Sequence, residues 1–197
     1  METEKKRPMR RRNLSREKVI EAALEAVDES GWEQLTMSTL AGRLGIVTAS
    51  LYNHVRGLDD VRGEIQVRTM ADLGERLREV AMGRSGLEGL RTLIDAHRVW
   101  AAEHPHRYQT LTTEPIERSA LIAAALDANR ALRSMLASCG VPEEDTLEAA
   151  VSLFTAMHGF ATIVRSGFLG DELDLDRIYE NVVAGAFAAA GVTPLPR

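Results

Sequence analysis

A short stretch between residues 48 and 55 carries side chains suited to bind another polar molecule. If Leu51 and Val55, four residues apart, face inward on a helix, the remaining positions face outward or lie at its ends. These are hydroxyl, amide, imidazole and aromatic side chains with one alanine, and no acid lies among them: Thr48, Ala49, Ser50, Tyr52, Asn53 and His54. Such groups can hydrogen-bond DNA base edges or phosphate oxygens, and an acid would repel phosphate. The stretch is therefore predicted to contact DNA.

Two short helices must position these groups. Thr36 is a suitable N-cap, and Met37, Leu40, Ala41 and Leu44 follow at helical spacing. Gly45 suits a sharp reversal, and Thr48 is predicted to cap a second helix from Ala49 to Val55. Two such helices fit a helix-turn-helix whose second helix enters the major groove, although an ordinary helical hairpin would show the same pattern. Thr36, Thr48 and Tyr52 are then expected to contact phosphate, and Ser38 is expected among the DNA-binding residues.

The amino terminus is strongly basic. The whole chain has 197 residues and a formal net charge of -5. Residues 1–62 carry a net +1 and residues 63–197 a net -6, while Met1 to Arg16 alone carries +5. This arm contains Arg11 and Arg12, has no apolar period, and is predicted to be disordered alone and attracted to phosphate, though a merely solvated tail is the alternative.

The segment from Leu14 to Val61 resembles the DNA-binding domain of the TetR family of transcriptional regulators. The features that match are a first helix from about Ser15 to Ser30, the Gly31-Trp32 break, Thr36, Leu40-Ala41, Leu44-Gly45 and Ser50-Leu51-Tyr52-Asn53-His54-Val55. Members of this family usually carry a phosphate-binding lysine near the start of the next helix. Here Leu58 occupies that position, followed by Asp59 and Asp60. Arg56 and the amino-terminal arginines are the candidates to replace the lysine.

The rest of the chain reads as helical, which predicts an all-α fold. One long helix, Leu58 to about Met82, joins the DNA-binding part to everything that follows. Further periodic segments are expected at about 87–103, 114–138, 143–166 and 175–190, separated by glycine and proline breaks. The predicted organisation is a disordered basic arm (1–13), a three-helix DNA-binding domain with a helix-turn-helix (14–61), and a helical effector-binding and dimerisation domain (62–197).

The last two helices are the candidates for dimerisation, because both are apolar over more than a narrow stripe. Two such helices from each of two chains would form a four-helix bundle, whereas a monomer would have to bury both internally. In the TetR family the equivalent helices commonly form the homodimer. The residues expected at this interface are Val151, Phe160, Ile178, Val182 and Phe187.

The second half is similar to the TetR-family carboxy-terminal domain named for a Trp-His-Gly signature. The similarity lies in His104-Pro105-His106-Arg107-Tyr108 and in Met157-His158-Gly159-Phe160, where Met157 takes the tryptophan position. The resemblance implies a small, mostly apolar effector held among these helices. Aromatic and thioether side chains suit such a pocket, which is predicted to be lined by Trp100, Tyr108, Leu111, Phe154, Met157 and His158.

Other chemistries are less well supported. A metal sensor would use His97, Glu103, His104 and His106, but no ligand pair repeats at a diagnostic spacing, so no metal or cofactor is expected. The sequence shows no phosphate loop, nucleophile elbow or His-Glu-x-x-His, so an enzyme is not expected. With one cysteine, no signal peptide and no predicted membrane span, the protein is expected in the cytoplasm.

These features together predict a ligand-responsive regulator, most simply a homodimeric repressor that a small molecule releases from a near-palindromic operator in double-stranded DNA. Two alternatives stay open at this point. One is a transcriptional activator of the same fold. The other is a helical small-molecule-binding or interaction protein that has lost DNA reading, which the Leu58-Asp59-Asp60 departure would favour.

Overall fold

A computed structural model describes residues 14–170 and 172–192, and in this part of the chain the regular structure is entirely helical. Short 3-10 turns at Trp32–Gln34, Thr110–Thr112 and Glu143–Asp145 connect some of the helices. The α-helices are α1 (Arg16–Ser30), α2 (Met37–Leu44), α3 (Thr48–Leu51), α4 (Leu58–Ala81), α5 (Gly86–Glu103), α6 (Pro105–Gln109), α7 (Arg118–Ser138), α8 (Thr146–Arg165) and α9 (Leu175–Ala189). The all-α prediction is confirmed.

The first three helices and the start of α4 enclose a small apolar core. Val19, Ile20 and Val27 of α1 meet Leu40 of α2 and Leu51 of α3 there, and all five are fully buried. Ser15 caps α1 by accepting a hydrogen bond from the Lys18 N–H at 3.3 Å. The predicted cap at Thr36 is confirmed, because its hydroxyl accepts from the Thr39 N–H while the Thr39 hydroxyl accepts from the Thr36 N–H.

The predicted second helix of the pair was too long. Helix α3 covers only Thr48–Leu51, and Val47 rather than Thr48 is its N-cap. Beyond Leu51 the hydrogen bonds tighten, since the His54 N–H reaches the Leu51 carbonyl at 2.8 Å, three residues back. Only Val55 N–H to the Leu51 carbonyl, at 3.0 Å, keeps the α-helical spacing. Residues 52–54 therefore form a turn that continues the helix.

Helix α4 contributes to both hydrophobic cores. Its beginning, with Val61 and Ile65, belongs to the core of the first three helices, and its later turns, with Leu73 and Leu77, belong to a second, larger core that α5, α7, α8 and α9 complete. The approach to α7 is close, because Gly74 leaves no room for a side chain beside Ala128. The predicted helix from Leu58 to about Met82 agrees with the observed Leu58–Ala81.

Helix α7 begins at Arg118 instead of the predicted residue 114, because another element holds the preceding segment. The buried side chain of Gln66 donates to the carbonyls of Thr110 and Glu114, both at 3.1 Å, and accepts from the Ile116 N–H at 3.0 Å. Pro115 also disfavours helical backbone at the residue before it. Backbone groups that a helix would pair internally are thus paired with α4.

Candidate nucleic-acid interface and effector cavity

The turn between α2 and α3 fixes the direction of the predicted DNA-contacting stretch. Gly45 adopts left-handed backbone, with φ of 67°, which costs glycine little. The Ile46 N–H returns to the Ala41 carbonyl at 3.0 Å and closes the end of α2. Leu51 is fully buried and Val55 is 3% exposed, so these two side chains anchor the stretch from beneath.

The outward side of this stretch has the predicted composition. Tyr52 is 57% exposed although it is aromatic, and Ala49 and Asn53 are also exposed. Thr48, Ser50 and His54 are half-buried, and Ser38 of α2 is exposed. The exposed Thr36 uses its hydroxyl in the α2 cap. Arg11 and Arg12 lie outside the described residues. The described members of the set lie on α2, on α3 and in the turn that follows α3, and these two helices contact each other.

Two arginines border the exposed stretch. Arg16 and Arg56 line an open depression of about 450 Å³ together with Tyr52, Asn53 and His54. The Arg56 side chain is 80% exposed. This depression has cationic, aromatic and hydrogen-bonding groups at one surface, beside the carboxylate of the half-buried Asp60, and groups of these kinds contact the phosphate backbone and base edges of DNA.

Asp60, in the first turn of α4, is not a free negative charge. Arg16 donates to its two carboxylate oxygens at 2.7 and 3.0 Å, and both the backbone and the side chain of Arg56 donate to it as well. The Arg16 hydrogen bond is the main reason why the pKa of this carboxyl lies well below its usual range. Leu58 is half-buried against the first core. Of the acids that follow the missing lysine position, only Asp59 is exposed.

Helix α6 connects the two cores through polar contacts. Arg107 binds the Asp28 carboxylate of α1 and, at 2.9 Å, the Asp72 carboxylate of α4. The neighbouring His106 ring nitrogen Nδ1 lies 3.0 Å from the Asp28 carbonyl oxygen. On its other face α6 carries Tyr108, which is 1% exposed. A shift of α6 would therefore change its contacts both with α1 and with the second core.

A narrow cavity of about 10 Å³ lies in the second core between α4, α5, α7 and α8. Of the predicted pocket residues, Phe154 and Met157 line it, and His97 and Asn129 are its polar lining groups. Tyr108 and His158 lie directly behind this wall, and Trp100 packs on Tyr108 with ring centroids 6.3 Å apart. Leu111 is half-buried against the same core. The cavity holds about one water, whereas drug-sized ligands occupy roughly 300–1,000 Å³, so it must widen to admit an effector.

Three side chains behind the cavity form a buried hydrogen-bonded chain. The Tyr108 hydroxyl lies 3.2 Å from Nε2 of His97 and 2.5 Å from Nδ1 of His158, and the His158 ring stacks on Phe154. Burial lowers the pKa of His97 to about 4, with the proximity of His158 as a smaller cause. Burial also raises the pKa of Tyr108 and lowers that of His158. All three side chains are therefore neutral near pH 7.

The sequence interpretation missed the role of His97, which it considered only as a metal candidate. His97 shares one face of α5 with Leu90, Leu93 and Trp100, all buried. The position of His97 within this apolar stripe is the sequence feature that could have predicted its burial. Among the described residues, no group of three His, Cys, Asp or Glu side chains is arranged to hold a metal ion.

The predicted interface residues divide into two groups. Val151 is 51% exposed, and Ile178 and Val182 are half-buried. Phe160 and Phe187, at 8% and 7% exposed, are instead buried within the subunit, where Phe160 packs against Tyr179 with ring centroids 5.2 Å apart. The expectation that these two rings face a partner chain is corrected: periodicity identified apolar positions but could not tell which of them pack inside the subunit.

Comparison with known proteins extends this description. The family model described as "Tetracyclin repressor-like, C-terminal domain" matches residues 90–186. An uncharacterized HTH-type transcriptional regulator of Mycobacterium tuberculosis is 34% identical over 172 residues, which cover 86% of this chain and 78% of that protein. The class D tetracycline repressor protein of Escherichia coli is 46% identical over 59 residues, 28% of this chain and 27% of that protein.

Solved structures share the fold. A putative regulatory protein superposes with a TM-score of 0.70 at 20% identity, covering 88% of this chain and 95% of its own. The TetR family protein ActR of Streptomyces coelicolor, in complex with (S)-DNPA, superposes with a TM-score of 0.63 at 20% identity, covering 90% and 99%. The arrangement of helices is thus one that other chains of this size adopt.

Proposed function

Because this chain belongs to the TetR family of transcriptional regulators, we propose that it is a homodimeric repressor released from its operator by a small molecule. One observation carries the DNA-reading part of this proposal. The stretch 48–54 exposes Tyr52 and Asn53 while the buried Leu51 and Val55 anchor it to the first core, so it presents a polar and aromatic surface. We assign residues 14–61 to DNA binding and residues 62–197 to effector binding and dimerisation.

Arg56 takes the part of the lysine that is missing from position 58. Its guanidinium is largely exposed beside Tyr52 and His54. Its contacts with acids, Asp60 at 3.2 Å and Glu117 at 3.8 Å, are both made through the single nitrogen Nη2. A cation at this point can pair with a phosphate of the DNA strand beside residues 48–54, which we call the reading stretch. Because Arg16 and Arg56 pair with Asp60, one of the two acids that follow position 58 adds little repulsion toward phosphate, which argues against a chain that has lost DNA reading.

The dimer follows from the uncovered apolar surface of α8. The segment Glu143–Arg165 is long and apolar enough to cross a membrane by length and composition alone, and 28% of its most apolar window is buried within the subunit. In a family of soluble DNA-binding regulators this surface is better covered by a second copy. Val151 on α8 and the half-buried Ile178 and Val182 on α9 would then contribute to a four-helix bundle.

Two reading stretches related by a two-fold axis require a near-palindromic operator with half-sites about one helical turn apart, or somewhat more. An effector that widens the cavity between α4 and its neighbours would tilt α4 and change that spacing. A coupling of roughly 1 to 3 kcal/mol would change operator affinity several-fold to about a hundredfold. Such a regulator works in the cytoplasm, where the chromosome is.

The proposal is tested by selecting duplexes from a random DNA pool with the purified protein and titrating the winning site with salt. An inverted repeat should be enriched, and affinity should fall steeply as salt rises. Tyr52→Ala should abolish binding to this site in a gel shift while size-exclusion chromatography still shows a dimer. Met82→Ala is the control, since Met82 is 72% exposed at the far end of α4.

Arg56→Ala separates phosphate contact from base reading. It should weaken binding to all sequences about equally and reduce the salt slope by about one. The backbone N–H of residue 56 still donates to Asp60 in this variant, so the start of α4 keeps its anchor. A folded, dimeric protein that enriches no sequence, or a Tyr52→Ala variant that binds as well as Met82→Ala, would refute the assignment of the reading stretch.

A further inference from the structure

One buried polar atom in the second core is not accounted for by the contacts around it. Nδ1 of His97 is buried and has no hydrogen-bond partner within residues 14–170 and 172–192. The residue is 2% exposed and lines the narrow cavity, whereas its partner Tyr108 does not. Since Nε2 is occupied by Tyr108, Nδ1 is the ring nitrogen left for a molecule in the cavity. A buried polar group without a partner costs about 1–3 kcal/mol, so a ligand that pairs with it gains affinity.

The hydrogen-bonded chain decides whether Nδ1 donates or accepts. A neutral histidine carries one N–H, and the Leu111 backbone beside His158 favours its protonated form, as a carbonyl that faces a ring N–H does. Its Nδ1 must then accept the proton of the Tyr108 hydroxyl. That hydroxyl has no second proton to give, so its oxygen accepts from Nε2–H of His97. Nδ1 of His97 is left with a lone pair.

We propose that the effector is an apolar molecule with a hydroxyl or N–H group, and that this group donates a hydrogen bond to Nδ1 of His97. This inference rests on the proposed function, because it takes the cavity as the effector site. The other contacts there are apolar side chains of α4, α5, α7 and α8, apart from the half-buried Asn129. A ligand carrying only acceptors would bring its lone pairs against that of Nδ1, which the cavity disfavours.

The cavity wall can yield to such a ligand. Met70 of α4 and Met157 of α8 line it, and methionine changes rotamer at little cost. Leu132 of α7 lines it too and is 3% exposed. Truncation of Leu132 to alanine enlarges the cavity next to His97 without touching the hydrogen-bonded chain, and so makes room for single-ring probes.

The first test reads the His97 proton directly. Long-range proton–nitrogen correlation spectra of the full-length protein should show His97 neutral at pH 7 with its proton on Nε2, the signal being identified by its loss in His97→Gln. A proton on Nδ1 would overturn the proposal. This measurement involves no DNA and no ligand.

The second test compares probes of one shape. Calorimetry measures the affinity of 1-naphthol, 1-methylnaphthalene and 1-methoxynaphthalene for the wild type, and of phenol and toluene for Leu132→Ala. In at least one of the two proteins the hydroxyl probe should bind about tenfold to a hundredfold more tightly than the probes without a donor. Tyr108→Phe frees His97 to change tautomer, so the preference of 1-naphthol over the methyl ether should shrink. Equal affinity of donor and non-donor probes, or no binding of any probe to either protein, overturns the proposal.

A gel shift on the selected operator with the same preparations separates this inference from the proposed function. If the protein binds the operator but shows no preference for the hydroxyl probes, only the proposed role of His97 is refuted. Loss of operator binding alongside a clear donor preference would instead count against the regulator and leave the ligand site standing.

Discussion

Gly74→Ala tests whether the close approach of α4 and α7 is as tight as the structure shows. A Cβ atom at position 74 would lie 2.7 Å from the Cβ of Ala128 and 2.8 Å from its Cα. Ordinary contacts at such atoms begin near 3.4 Å, so one helix must move by several tenths of an ångström. Overpacking of this kind costs about 1–3 kcal/mol. The replacement of a helical glycine returns about 1 kcal/mol, which leaves a net loss of up to about 2 kcal/mol.

Gly42→Ala is the matched control, because Gly42 is exposed in α2 and a Cβ there would meet nothing within 4 Å. This variant should gain about 0.5–1 kcal/mol from helix propensity. Urea titrations at one protein concentration would compare the two free energies of unfolding. Adding Ala128→Gly to Gly74→Ala should restore only part of the loss, because the backbone Cα of residue 128 remains 2.8 Å away. A Gly74→Ala protein as stable as Gly42→Ala would refute the tight packing.

Three further predictions concern protonation, capping and assembly. Burial lowers the pKa of His97 from 6.5 to about 4, so between these pH values the unfolded chain binds a proton that the folded chain does not. The free energy of unfolding should therefore fall by about 3 kcal/mol between pH 6.5 and 4. Urea titrations of His97→Gln should lack this pH-dependent loss. Thr36→Ala removes the cap of α2 and should cost about 1 kcal/mol in the same titration, whereas Ser38→Ala, one residue into the helix, should cost less. Val151→Asp should convert the proposed dimer to monomers in analytical ultracentrifugation, while Val99→Asp, at 48% exposed on α5, should leave it intact; a dimer in both would contradict the proposed α8 interface.

Local chemistry made residues 36–55 predictable from the sequence. The Thr36 cap, the Gly45 reversal and the burial of Leu51 and Val55 all follow from a few neighbouring residues, and the structure confirms each of them. The extent of α3 did not follow, because the choice between a last helical turn and a tighter one depends on small differences in backbone hydrogen bonding.

The neutralisation of Asp60 was invisible in the sequence. Asp60 follows Leu58 by two residues, a position at which an acid is expected to oppose phosphate binding. Arg16, which pairs with it, lies 44 residues earlier in the chain. No spacing rule connects two residues so far apart, and the contact exists only because α1 and the start of α4 pack side by side.

The sequence by itself determined the helical content, the cap of α2, the reversal at Gly45 and the family resemblance, since these depend on periodicity, capping and short motifs. Tertiary structure alone decided which apolar side chains face inward, as Phe160 and Phe187 do, and that His97, Tyr108 and His158 meet in one hydrogen-bonded chain. The physical reason is that helical periodicity specifies which residues share a face. What that face meets depends on how several helices pack at once, and the state of a buried polar group depends on its partners there.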